Sequence, residues 1–132
     1  MSDFKEELYS DYATDFKGGG QKISQKQIDK FWPIFKQTTQ GWLPESKTAN
    51  ILDLGCGNGT NMNLLKNKVG YYNLYGVDRS ESQVSLAQQH VPNVQLGNAL
   101  DYLGNSPVMF DLILAFDLIE HLTKIEALKL IK

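Results

Sequence analysis

Hydrophobic positions along this chain change their spacing near residue 50. Before it, apolar side chains are scattered. Phe4, Tyr9, Tyr12 and Phe16 sit in an otherwise polar opening, and Ile28, Phe31, Trp32, Ile34 and Phe35 then recur at helical spacing. Gly18-Gly19-Gly20 interrupts any helix between the two groups. Ser24 followed by Gln27 has the form of a capping box, which predicts a helix starting at residue 25. Pro33 falls inside that helix, where its missing N–H and its ring predict a kink. Gly41 and Pro44 close the region, and a polar loop leads to Asn50.

From residue 51 the pattern becomes an alternation of strand and helix. Ile51–Leu54 reads as a strand, residues 61–68 as a short helix ending at Gly70, and Tyr72–Val77 as a second strand. Ser80 with Gln83 repeats the capping signature and predicts a helix running to about His90. Val94–Leu96 is a short third strand. Asp111–Phe116 is nearly all apolar, which predicts a central strand buried on both faces. Thr123 and Glu126 mark one more helix start, with Ile125, Leu128 and Ile131 on one face. Alternation of this kind implies crossover connections and a parallel sheet, an α/β domain over residues 47–132 preceded by a helical cap region over residues 1–46.

Bulk properties narrow the setting rather than the chemistry. The 132 residues suffice for one domain, and 42% hydrophobic with 21% charged residues is ordinary for a globular protein. A formal net charge of −2 gives no support for a strongly basic nucleic-acid surface. Cys56 is the single cysteine, so neither an intrachain disulfide nor a cysteine metal cluster is available. No apolar run reaches the roughly 20 residues that span a bilayer, and the opening has no apolar signal segment, so a cytoplasmic protein without a membrane partner is expected.

The first strand runs straight into the densest chemistry: Ile51-Leu52-Asp53-Leu54-Gly55-Cys56-Gly57-Asn58-Gly59-Thr60. Glycines at a strand-to-helix turn accept positive φ and let a flat ligand approach bare backbone. A Walker loop is excluded because Gly59-Thr60-Asn61 has no lysine. The dinucleotide fingerprint Gly-x-Gly-x-x-Gly fits poorly, since the third glycine arrives one residue early. The second strand ends in Gly76-Val77-Asp78-Arg79-Ser80, which sets an acid beside the first turn, where its two oxygens suit the hydroxyls of a ribose. Gly97-Asn98-Ala99-Leu100 follows the third strand. Phe110-Asp111 opens the fourth, and Phe116 and Glu120-His121-Leu122 follow. Each acid also has a plainer reading: Asp53 as a cap on loop N–H groups, Asp78 as a solvated acid at a helix start.

Together these segments resemble class I S-adenosylmethionine-dependent methyltransferases, motif by motif and in order over residues 51–122. The resemblance implies a Rossmann-like three-layer sandwich with strand order 3-2-1-4-5-7-6, of which about four of the usual seven strands are present. It implies S-adenosyl-L-methionine as cofactor, held by Asp53, Gly55, Cys56, Gly57, Asp78, Arg79, Asn98, Ala99 and Phe116. The family usually has Asp where Asn98 stands. An amide oxygen still accepts from the adenine amino group, without the charge. The implied reaction is methyl transfer to a small-molecule O, N or C acceptor by in-line displacement, with His121 as the candidate catalytic base. Alternatives stay open: a non-catalytic binding or interaction fragment completed by another chain, a nicotinamide-dependent oxidoreductase, and a metal-assisted RNA 2′-O-methyltransferase using Asp117, Glu120 and His121. His121 as plain pocket lining, and Cys56 and Tyr12 or Phe16 as simple packing, are the structural counterparts. Ending after four strands also predicts an apolar sheet edge, open to pairing in a homodimer, and a fragment that lacks turnover by itself.

Overall fold

The computed structural model describes residues 23–116 together with 124, 125 and 128. Helix α1 spans Gln25–Thr39 and starts where the capping box places it. Ser24 Oγ accepts the Gln27 N–H at 3.2 Å, and Gln27 Oε1 accepts the Ser24 N–H at 2.9 Å. The helix runs on through Pro33, whose ring is exposed. Ile28 and Phe35 are buried, with Phe31 and Trp32 packed beside them. Ile34, expected on the same face, is instead 66% exposed. At 3.6 residues per turn it lies about 120° from Ile28, off the stripe that the other four define.

The strand-helix alternation follows as read, with shifted ends. Strand β1 is Asn50–Leu54, β2 is Asn73–Asp78 and β3 is Val94–Leu96. Between β1 and β2, helix α2 covers Thr60–Leu64 and continues as a π turn over Leu65–Val69. The Gly70 N–H reaches back five residues to the Leu65 carbonyl at 3.0 Å. Helix α3 is Glu81–Gln88. Ser80 Oγ accepts the Gln83 N–H at 3.4 Å, but the Gln83 side chain is buried rather than returned to the cap. The sequence pattern marks no helix between β3 and the fourth strand, but the chain forms helix α4, Ala99–Asn105, capped by Asn98.

All strands pair in parallel in the order β3-β2-β1-β4, with β4 at Leu112–Leu114. This is the Rossmann-like α/β arrangement, and the register divides side chains into two layers. Ile51, Leu74, Val94 and Leu114 face α1, α2 and α3, where Ile28, Phe35, Met62, Leu64, Leu65, Val84 and Ala87 complete the larger core. Leu52, Leu54 and Val77 face α4, with Ala99, Tyr102 and Leu103. The apolar run at Asp111–Phe116 predicts a central strand, and a count of four strands predicts an edge; among the described residues β4 is three residues long and lies at the edge of the sheet. Among those residues it pairs with β1 alone, and Ile113, which points to the α4 side, is 44% exposed. The strand is anchored at its start, where the Asp111 N–H donates to Asn50 O and the Asn50 N–H donates to Asp111 Oδ2, both at 2.8 Å. Of the last predicted helix, Lys124, Ile125 and Leu128 are helical, and the two apolar residues are exposed rather than packed. Thr123, Glu126 and Ile131 lie outside the described residues.

Candidate functional site

The carboxyl ends of β1 and β2 lie side by side, and the turn after β1 is fastened to the end of β2. The Gly55 and Cys56 N–H groups donate to the Val77 carbonyl at 2.8 and 3.0 Å. The Gly57 N–H donates to Asp78 Oδ2 at 2.9 Å, and the Ser80 N–H donates to Asp78 Oδ1 at the same distance. Asp78 therefore holds two loops with its two oxygens while only 4% exposed. Each oxygen keeps a second lone pair for another donor.

The turn needs its glycines for two different reasons. Gly57 has φ of 56°, and a Cβ built there meets nothing closer than Gln83 Oε1 at 4.0 Å. The space where a side chain would stand is open, so it is the positive φ that favours glycine here. Gly59 has φ of 90°, and a Cβ there would lie 3.1 Å from Ala87 Cα and Cβ, so this residue lets α3 pack against the turn. Gly76 on β2 does a related service. A Cβ would fall 2.9 Å from Met62 Sδ and 3.0 Å from Cys56 Sγ, so the two sulfur atoms roof this strand position.

Asp53 is the most unusual group in the site. It is 2% exposed, and its Oδ2 has no hydrogen-bond partner among the described residues. Its register partners are Gly76 on β2 and Leu114 on β4, neither of which brings a side-chain donor. Burial, and then the negative charge of Asp78, push its carboxyl from the ordinary 3.8 up to about 8. A buried oxygen without a partner costs about 1–3 kcal/mol, more when charged, and persists where a ligand can supply the missing donor. Burial also raises the Cys56 thiol, with Asp53 and Asp78 adding to it, and the sulfur donates to Gly57 O at 3.6 Å. Cys56 is thus a neutral thiol tucked under the turn, and its N–H is already used.

The remaining residues singled out in the sequence fall in different places. Arg79 is exposed just beyond Asp78. Ala99 is buried against the α4-side core. Phe116 packs edge-on against Phe35 of α1, with ring centres 6.1 Å apart, tying the cap helix to the end of β4. Asn98 has an exposed side chain whose Oδ1 accepts the Leu100 and Asp101 N–H groups at 2.8 and 3.2 Å. Both lone pairs of the oxygen expected to face an adenine amino group are therefore taken by the start of α4, which leaves the Nδ2 donors. Tyr12, Phe16, Asp117, Glu120 and His121 lie outside the described residues. Among the described residues no cluster of His, Cys, Asp and Glu is placed to hold a metal, and no helix is long and apolar enough to cross a membrane. Sequence reasoning missed Gln83 as a wall beside Gly57, because Ser80-x-x-Gln83 reads first as a cap. It also missed Gly76, because a single glycine within a strand run carries little signal.

Comparison with known proteins adds a family to this geometry. A family model described as a methyltransferase domain matches residues 51–132. A SAM-dependent methyltransferase from Archaeoglobus fulgidus has a similar fold, with TM-score 0.65 and 23% identity over 92% of this chain and 49% of that one. Magnesium protoporphyrin IX methyltransferase from Synechocystis PCC 6803, solved with SAM bound, is similar at TM-score 0.55 and 25% identity over 81% of this chain and 50% of that one. A curated relative, trans-aconitate 2-methyltransferase from Delftia acidovorans, is 30% identical over 53 residues, which are 40% of this chain and 20% of that protein. The aligned segment is thus about half of either solved structure and a fifth of the curated relative.

Proposed function

This chain belongs to the methyltransferase-domain family, and we propose that it forms the S-adenosylmethionine-binding half of an enzyme that methylates a small-molecule acceptor. One observation carries the reading. A glycine turn follows one buried carboxylate and is hydrogen-bonded to another on the neighbouring strand, the second anchored by two N–H groups and the first with an Oδ2 that has no partner among the described residues. These residues fit the cofactor's parts: Asp78 has free lone pairs for ribose hydroxyls, Gly57 offers a surface without a Cβ, and Asp53 is an acid awaiting a donor or a cation.

When bound, the sulfonium supplies a methyl group already activated for displacement. The residues of this chain then position and shield, a role that contributes up to about 7–11 kcal/mol where two reactants are held in line. Phe116 and Phe35 form an apolar wall at the carboxyl end of β4. His121 is our candidate for the base, required only where the acceptor must lose a proton in the step. A small acceptor is supported by the curated relative, named for trans-aconitate, and by the solved relative named for magnesium protoporphyrin IX. A cytoplasmic setting accords with the apolar pattern of the sequence.

Calorimetric titration of the chain with S-adenosylhomocysteine and with NAD tests the reading. Binding of the first without the second is expected; tight NAD binding alone overturns it. A second reading, cofactor binding without turnover, is favoured by the half-length match to the solved relatives. Measurable methyl transfer by the 132-residue chain sinks that second reading.

A further inference from the structure

We propose that entry of a positively charged ligand expels a proton from Asp53, so that the site couples cofactor binding to proton release and selects ligands by charge. This inference rests on the cofactor reading above and assigns the site a pH dependence of its own.

The geometry separates the two acids. Asp78 accepts two N–H bonds at 2.9 Å and is the natural home of the negative charge. Asp53, two register steps back on the same sheet face, has an Oδ2 buried without any donor among the described residues. Among those residues, the elements packed around it bring no cation. Strand β2 brings Asp78, and the turn brings the neutral Cys56 thiol. Strands β3 and β4 and helix α2 contain no ionisable side chain. The acids and lysines of α1 (Lys26, Asp29, Lys30 and Lys36) and Glu81 of α3 are exposed at the surface. A second negative charge at Asp53 would be buried beside the first with nothing to offset it, so the ligand-free protein keeps a proton there up to about pH 8.

A ligand with an ammonium or sulfonium group changes this balance. It provides an opposite charge, and an ammonium also provides the absent N–H donor, both of which favour the carboxylate. The proton then passes to solvent while the carboxylate stays in place, and no covalent bond forms or breaks. The sign follows from linkage. Below pH 8 the free protein holds a proton that the complex does not, so affinity rises with pH, by up to about tenfold per pH unit, and levels off above it. A neutral nucleoside occupying the same turn gains nothing from the exchange.

The test is calorimetry of the 132-residue chain at pH 7 in two buffers of different ionisation enthalpy. The probes are S-adenosylhomocysteine, a zwitterion whose ammonium can face Asp53 while its carboxylate lies elsewhere, and 5′-methylthioadenosine, which has neither group. The expected result is release of about one proton per S-adenosylhomocysteine bound and none for 5′-methylthioadenosine. If the ligand's own amine titrated it would take up a proton, the opposite sign, so the two sources are distinguishable. Asp53→Asn is expected to abolish the release and flatten affinity between pH 6 and 8, and the two-ligand comparison on the unmodified chain needs no variant. Binding of both ligands with buffer-independent heats overturns the inference and leaves the cofactor reading standing. Failure of both ligands to bind at any pH overturns the cofactor reading, and this inference with it.

Discussion

Replacing Asp53 by Asn should make the protein more stable, and increasingly so as pH rises. The side chain keeps its size and loses its proton equilibrium. In the unfolded chain this acid ionises near its ordinary value of 3.8; in the fold it ionises near 8. An acid raised by folding contributes stability that is fully present below the unfolded value and is lost as pH climbs through the folded one. The window therefore runs from about pH 4 to about pH 8. The slope is about 1.4 kcal/mol per pH unit, which adds to about 5 kcal/mol across the whole window and about 4 kcal/mol between pH 5 and pH 8. That is a large share of the 5–15 kcal/mol typical of a domain. Urea unfolding of both proteins at several pH values reads it directly. With m near 1–3 kcal/mol/M, the midpoints should separate by more than about 1 M by pH 8 while lying close together at pH 5. Parallel pH profiles for the two proteins would refute the reasoning, because they would mean that Asp53 titrates alike in both states.

Three further substitutions probe the frame around that acid. Gly76→Ala drives a methyl group to within 2.9 Å of Met62 Sδ and 3.0 Å of Cys56 Sγ, and should lower stability by about 1–3 kcal/mol in thermal unfolding; an unchanged midpoint would show that the buried Met62 yields freely. Asp78→Asn removes the charge that accepts the Gly57 and Ser80 N–H groups and should weaken S-adenosylhomocysteine binding by about tenfold to a hundredfold in calorimetry; unaltered affinity would remove Asp78 from the site. Ser24→Ala deletes the acceptor for the Gln27 N–H at the head of α1 and should cost about 1 kcal/mol in chemical unfolding, with no loss counting against the cap.

Much of this architecture was legible from residue order because local signals and tertiary packing agree. Ser24 and Gln27 mark the start of α1 through hydrogen bonds made within four residues, so the boundary is set by local contacts. Asp53 and Asp78 can be paired from the sequence because each lies at or next to the carboxyl end of a strand, and parallel strands joined by one helix bring such ends together. Strand β4 is ambiguous in the sequence, where its apolar run suits a central strand and the count of four strands suits an edge, because such a run reports only which residues avoid water, not how many neighbours the strand has. Asn98 is ambiguous for a related reason: its identity suits both a ligand contact and a helix cap, and its Oδ1 caps a helix that the sequence pattern does not mark. The lone Asp53 oxygen is invisible in any sequence, since it is defined by donors that are absent from its surroundings.

The stitch between the glycine turn and β2 also bears on the order in which the chain assembles. The Gly57–Asp78 hydrogen bond closes a loop of 21 residues, whereas Asn50 and Asp111, which fasten β4, are 61 residues apart. Chain-closure entropy grows with the logarithm of loop length, so the first contact is favoured by about 1 kcal/mol before any packing is counted. Synthesis works in the same direction. At roughly 5–20 residues per second, Asp78 leaves the ribosome roughly 2–7 s ahead of Leu112. The two-stranded seat with its buried acids is therefore the early-closing part of this sheet, and β4 joins a frame whose shape has already been set.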